Sequence, residues 1–162
     1  MPSFELRRPS IAGLAGLAAA AALVGCGGGG STVSGKEYQA AANQVCRDAQ
    51  SQFDRIVRTS PKTADQAEKQ AAALVDVSQQ ALDNLHSIEP PESLKSAYSR
   101  YLDARQRAIT DIEKARDAAA RNDGAAYARA KRQVAETQPV RRQLAQAAGL
   151  RSCSLPTVSL GK

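Results

Sequence analysis

The thiol, imidazole and thioether side chains are few: Cys26, Cys46 and Cys153, with His86 as the only histidine and Met1 as the only methionine. A thiol at Cys46 or Cys153 beside His86 would make an activated nucleophile. The competing chemistry is oxidation, because an even pair of thiols outside the cytoplasm is far more often a disulfide than a catalytic pair. His86 falls near the end of a helical pattern, where a partly charged imidazole suits the negative end of the helix dipole. Most haem, zinc and copper sites need more ligands than this chain offers. No glycine-rich phosphate loop is present, since the glycines at 27–30 precede no strand, and no Ser/His/Asp set has a recognisable spacing. Asp76 and Asp83, like Asp111 and Asp117, read as solvated helix acids with no Glu-x-x-His partner. The expectation is a protein without catalysis, cofactor or metal.

The stretch Leu23-Val24-Gly25-Cys26 follows an apolar run at residues 11–24, itself preceded by Arg7-Arg8. That is the order of a secretory signal, and the run is too short and too weakly apolar for a membrane span of about 20 residues. The tetrad resembles the lipobox of bacterial lipoproteins. The resemblance implies diacylglycerol on the thiol of Cys26, cleavage just before it, and attachment to the extracytoplasmic face of the cell membrane. Pro9-Ser10 after the paired arginines fits twin-arginine export poorly, which favours the general secretory route. With Cys26 consumed by lipid, Cys46 and Cys153 remain as a disulfide pair in a compartment that permits oxidation. The remainder resembles small secreted helical bundles with a cysteine in the first helix (Cys46), a Pro-Pro turn before a Tyr-rich third helix (Pro90-Pro91, Tyr98, Tyr101) and a closing Gly-Leu-x-x-Cys (Gly149 to Cys153). No activity comes with that likeness.

The elements that must position these residues are helices. Tryptophan is absent and aromatic residues make up 4% of the chain, so little favours a pleated sheet. After a signal at 1–25 and a lipidated, Gly/Ser-rich tether at 26–35, helical periodicity begins at Lys36 and runs to Cys153, with a loosely held tail over 154–162. Such a tether spans roughly 17 Å on average. Tyr38, Ala42, Val45, Ala49, Phe53 and Ile56 mark the inner face of a first helix ending near Ser60-Pro61. Thr63 and Gln66 form a capping-box pattern for a second, with Ala64, Ala67, Ala71, Leu74, Ala81, Leu82, Leu85 and Ile88 inward. Pro91 opens a third that runs to Arg121, with Leu94, Ala97, Tyr98, Tyr101, Leu102, Ala108, Ile109, Ile112, Ala115 and Ala119 inward. Asp123 caps a fourth bearing Tyr127, Ala130, Val134, Leu144 and Ala148, kinked at Pro139 and ended by Gly149. Burying four such stripes against one another predicts an all-α, up-down four-helix bundle.

Two features point to binding. Residues 36–94 carry 6 basic and 9 acidic side chains, whereas residues 95–151 carry 13 and 6. The cation-rich half could meet anionic lipid, a cell-wall polymer or a protein partner, or simply complement the other half. Without residues 1–25 the formal charge is +5, which is no nucleic-acid signature by itself, and a monomer is expected. The second feature is a polar layer: continuing the inner seams places Ser78, Arg105 and Thr137 near mid-bundle, where they could hold a small anion or polar ligand. The leading expectation is therefore a membrane-anchored binding or envelope-interaction module, with a small-ligand carrier or sensor as the alternative.

Overall fold

The computed structural model describes residues 34–154; the expected signal at 1–25, the lipobox-like tetrad with Cys26, most of the expected tether and all of the expected tail at 154–162 but Ser154 lie outside them. The described residues are all-helical: α1 (Gly35–Ile56), α2 (Ala64–His86), α3 (Lys95–Ala120) and α4 (Gly124–Ala147), with 3-10 turns at Glu92–Leu94 and Ser152–Ser154.

Each boundary has a local cause. Ser34 accepts from the Glu37 amide at 3.2 Å while its own N–H donates to the Glu37 carboxylate at 3.1 Å, so a capping box draws Ser34 and Gly35, assigned to the tether by sequence, into the start of α1. The helix stops at Ile56, short of Ser60-Pro61. Proline disfavours helical backbone in the residue before it, and the Gln70 amide donates at 2.9 Å to the carbonyls of both Ile56 and Thr59. Thr63 caps α2 by accepting from the Gln66 N–H. Beyond Pro90-Pro91 the chain makes a 3-10 turn before α3 begins at Lys95, four residues later than expected.

The connection from α3 to α4 spends one residue in the left-handed region, Asn122 at φ 55°. Asp123 N–H then reaches the Ala118 carbonyl at 2.9 Å, the longer bond of a Schellman motif, and the Asp123 carboxylate caps α4 through the Ala126 N–H. Gly149, φ 75°, repeats the motif after α4, with Leu150 N–H on the Ala145 carbonyl at 2.8 Å. A Cβ at Gly149 would sit 2.9 Å from Gln39 Nε2 as well as straining the backbone.

Helix α2 packs against α1 and α3, and α3 against α2 and α4; the turn at Ser152–Ser154 touches both α1 and α4. In α1 the buried row is Tyr38, Ala42, Cys46, Ala49 and Phe53, so Cys46 takes a core position beside the expected stripe while Val45 and Ile56 are only partly buried. Within α4 only Ala130 and Ala145 are buried; Tyr127, Val134 and Leu144 are half-covered. Leu150, just past the helix, is fully buried, which at about 1.5 to 3 kcal/mol gives that end of α4 its strongest apolar anchor.

Two tyrosines tie the helices at one end. Tyr38 of α1 donates its hydroxyl to the Ala148 carbonyl at 2.9 Å, and Tyr98 of α3 donates to the Leu85 carbonyl at 2.6 Å. Both acceptors belong to helix C-termini, whose last carbonyls have no partner within the helix. The rings meet edge to face, with centroids 5.3 Å apart. Further along α1, Asn43 Oδ1 accepts from the Ser152 N–H at 2.6 Å, and Cys46 stands at disulfide distance from Cys153, with α-carbons 5.0 Å apart. The residues after Gly149 thus fold back along the first helix, as the proposed pairing demands.

Two measurements check this packing. Reduction of the Cys46–Cys153 pair, which closes 107 residues of sequence, should cost about 2 to 4 kcal/mol in urea denaturation and expose amides of residues 150–154 to exchange first. An unchanged midpoint after verified reduction contradicts that role. Burial raises the Tyr38 phenol from 10.0 to about 12, and raises Tyr98 as well. Their contribution is fully present below about pH 10, the unfolded value, and is lost as pH climbs through the folded values, by up to about 1.4 kcal/mol per pH unit for each tyrosine. A urea midpoint that stays level well above pH 10 in wild type, or that falls equally in Tyr38→Phe, would show that the tyrosine at 38 plays no part.

Candidate functional site

The helical period places Ala104, Arg107, Ala108, Asp111, Lys114 and Arg121 on one flank of α3, and Ala126, Arg129, Ala130, Thr137, Val140 and Arg141 on the facing flank of α4. Between them runs an open groove of about 800 Å³. Alanines form its floor, because a methyl side chain lets the helices approach without filling the space above. Val140, 54% exposed, is the exposed large apolar residue among those described.

The rim is cationic. Lys114 pairs with Asp111 at 2.8 Å, and Asp117 is taken by Arg116 at 2.9 Å. Arg107, Arg121 and Arg129 have no ion-pair partner among the described residues. Arg107, Lys114 and Arg121 follow one another at seven-residue steps, about 10.5 Å apart along the axis.

Arg141 sits deeper, half-buried two residues beyond Pro139. Proline has no N–H to offer the carbonyl of Ala135, and its ring crowds that turn of α4. Over the two turns before it, the Arg141 guanidinium donates through Nη2 to the Val134 carbonyl at 3.0 Å and through Nη1 to Thr137 Oγ1 at 2.5 Å, while Thr137 donates to the Gln133 carbonyl at 2.9 Å. Burial and then the neighbouring Arg105 cation lower the Arg141 pKa; Tyr101 and Asp111 oppose them. Arginine ordinarily titrates so far above neutrality that Arg141 stays charged, but its charge is held at a cost.

Of the expected ligand layer, Thr137 lies on the groove wall, Arg105 is half-buried on α3 near Arg141, and Ser78 is buried on α2. Among the described residues no hydrogen bond joins Ser78 to Arg105 or Thr137, so the three do not form one bonded layer. Asp111 departs from its reading as a solvated acid: it is 8% exposed and bonded to Lys114, while Asp76, Asp83 and Asp117 are exposed. The residues missed by sequence reasoning are Arg107, Arg121, Arg129 and Arg141. Their signal was the heptad of cations on α3 and an arginine two residues beyond an intrahelical proline.

Cys46 Sγ and Cys153 Sγ are at bonding distance from one another, Cys46 Sγ is 3.8 Å from the Tyr101 hydroxyl, and His86 is exposed in the last turn of α2. Among the described residues no group of His, Cys, Asp and Glu is placed to hold a metal ion, and no helix is long and apolar enough to cross a membrane. No family model matches the chain, and neither a curated protein nor a solved structure is significantly similar to it.

Arg141→Met keeps the apolar stem but deletes the donors that serve the Val134 carbonyl and Thr137 Oγ1. It should cost about 1 to 2 kcal/mol, whereas Arg107→Met on the exposed rim should stay within about 0.5 kcal/mol. Equal urea midpoints for the two variants would remove the structural role assigned to Arg141.

Proposed function

We propose that this chain is a non-enzymatic, lipid-anchored binding module on the extracytoplasmic face of the cell membrane, an up-down four-helix bundle whose working surface is the groove between α3 and α4. The observation that carries the binding role is the set of arginines, Arg107, Arg121, Arg129 and Arg141, around an alanine floor, with the local carboxylates already engaged by Lys114 and Arg116. Cations held on one concave face focus the field toward an anionic partner. Anchoring rests on Leu23-Val24-Gly25-Cys26 and its preceding apolar run. The up-down path is supported by contacts at one end, where Tyr38 near the start of α1 meets Tyr98 near the start of α3 and the last residue of α4's cap, Ala148.

A second reading, a small-ligand carrier or sensor, draws on Thr137 and Arg141, which share a hydrogen bond inside the groove. The two readings part in a melting experiment. A small anion bound only by the folded state must raise the melting temperature; inorganic phosphate should leave it unchanged at constant ionic strength if the groove serves an extended partner. The anchor is tested separately in cells. Cys26→Ser should move the protein from the membrane fraction to a soluble or unprocessed form, and a variant that stays membrane-bound at the mature size would end the anchoring argument.

A further inference from the structure

The groove differs from an ordinary solvated helix surface in how its charges are spread. Arg107 and Arg121 are separated along α3 by about 21 Å, and Arg129 and Arg141 along α4 by about 18 Å. One small anion cannot neutralise both ends of such a row. A planar bilayer can touch the rim, but the alanine floor lies between two helices, where a flat surface does not reach. A single-stranded nucleic acid has the right charge and the wrong linkers, because its bases gain most from stacking on aromatic faces and no aromatic side chain lines this groove. What fits both rim and floor is a flexible chain of phosphodiesters joined by small aliphatic units. Its phosphates would take the guanidinium forks of Arg107, Arg121 and Arg129 and the remaining N–H groups of Arg141, and its carbon linkers would lie over Ala104, Ala108, Ala126, Ala130 and Val140.

We propose that the α3–α4 groove binds a linear polyol-phosphate polymer, its phosphates held in turn by Arg107, Arg121, Arg129 and Arg141. This deepens the reading of the groove as the working surface and rests on it. Arg141 adds a reason for the polymer to seat at that end of the groove. A phosphate there supplies the counter-charge that burial and Arg105 leave wanting.

The test uses the full chain in neutral detergent with its disulfide intact, and a synthetic oligo(glycerol phosphate) as probe. Binding should weaken steeply with salt, with a log–log slope of about −3, as four phosphate contacts give on a single-stranded polyanion. Each of Arg107→Gln, Arg121→Gln and Arg129→Gln should make the slope shallower by about one contact. These side chains are exposed, and unchanged circular dichroism melts would show that folding is intact. Arg47→Gln and Arg58→Gln, on and just beyond α1, should leave the slope as in wild type. Three comparison probes separate the alternatives: oligothymidylate of equal charge, phosphatidylglycerol vesicles, and inorganic phosphate. Absence of binding to the oligomer overturns the proposal, as does equal or tighter binding of any comparison probe. If vesicles win and the groove variants weaken them, the polymer is wrong but the groove remains the working surface. If the groove variants alter binding to no probe, both readings fall together.

Discussion

The hydrogen bond from the Tyr38 hydroxyl to the Ala148 carbonyl joins residues 110 apart in sequence, and it stands for the constraint on which this fold depends. Neither terminal helix is well held by apolar contact with its sequence neighbour. Of the five residues buried in α1, two are alanines and one is Cys46, and α4 buries only two alanines along its length. Closing the last turn of α4 onto the first half of α1 addresses both weaknesses together. Tyr38, Asn43 and Cys46 each take one partner from residues 148–153. Because these links are made at one time, the entropy of closing a long loop is paid once and then shared among three contacts.

That closure also governs the groove. Residues 148–153 hold the C-terminal end of α4 near α1, and the Asn122 turn sets its other end beside α3. Between those fixed points the apolar residues along the groove are alanines and Val140, while Tyr127, Val134 and Leu144 of α4 pack toward the core. A groove between helices in a small protein is ordinarily filled by leucine or phenylalanine. Here alanine leaves it open, and arginines with long apolar stems stand along its edges. The electrostatic character of the surface therefore follows from a packing choice as much as from net charge.

Local signals in the sequence account for much of this. Thr63, Asp123 and Gly149 mark helix ends because each meets a backbone demand that few residues satisfy, and the inner stripes of α2 and α3 follow a strict period. The Cys46–Cys153 pair was legible through cysteine arithmetic. The start of α1 at Gly35 was masked by the glycine-rich composition before it, although Ser34 and Glu37 already held the capping box. In α4 the period was weak because so little of the helix is buried, and an alanine-rich helix does not declare which face is inner. Asp111 and Arg141 were hidden for a related reason. A charged residue on a helix reads as solvated until the opposite helix is in place; Asp111 of α3 is buried and Arg141 of α4 half-buried where the two helices line one groove. Extending the inner seams is enough to bury Ser78, but no hydrogen bond joins it to Arg105 or Thr137 among the described residues.

The position of Cys46 along α1 has a mechanical consequence. The bond to Cys153 encloses the rest of α1, the whole of α2, α3 and α4, and the groove within one covalent ring. Tension applied between the two chain ends enters at Ser34 and meets that ring at Cys46. Among the described residues only 34–45 can be drawn out before the bridge takes the load, going from about 18 Å as helix to about 40 Å when straightened. Past that point force crosses from one end of the chain to the other through sulfur, and the helices that build the groove lie on a branch that bears none of it. A domain tugged from its amino-terminal side can lengthen like a short spring while its α3–α4 face keeps its shape.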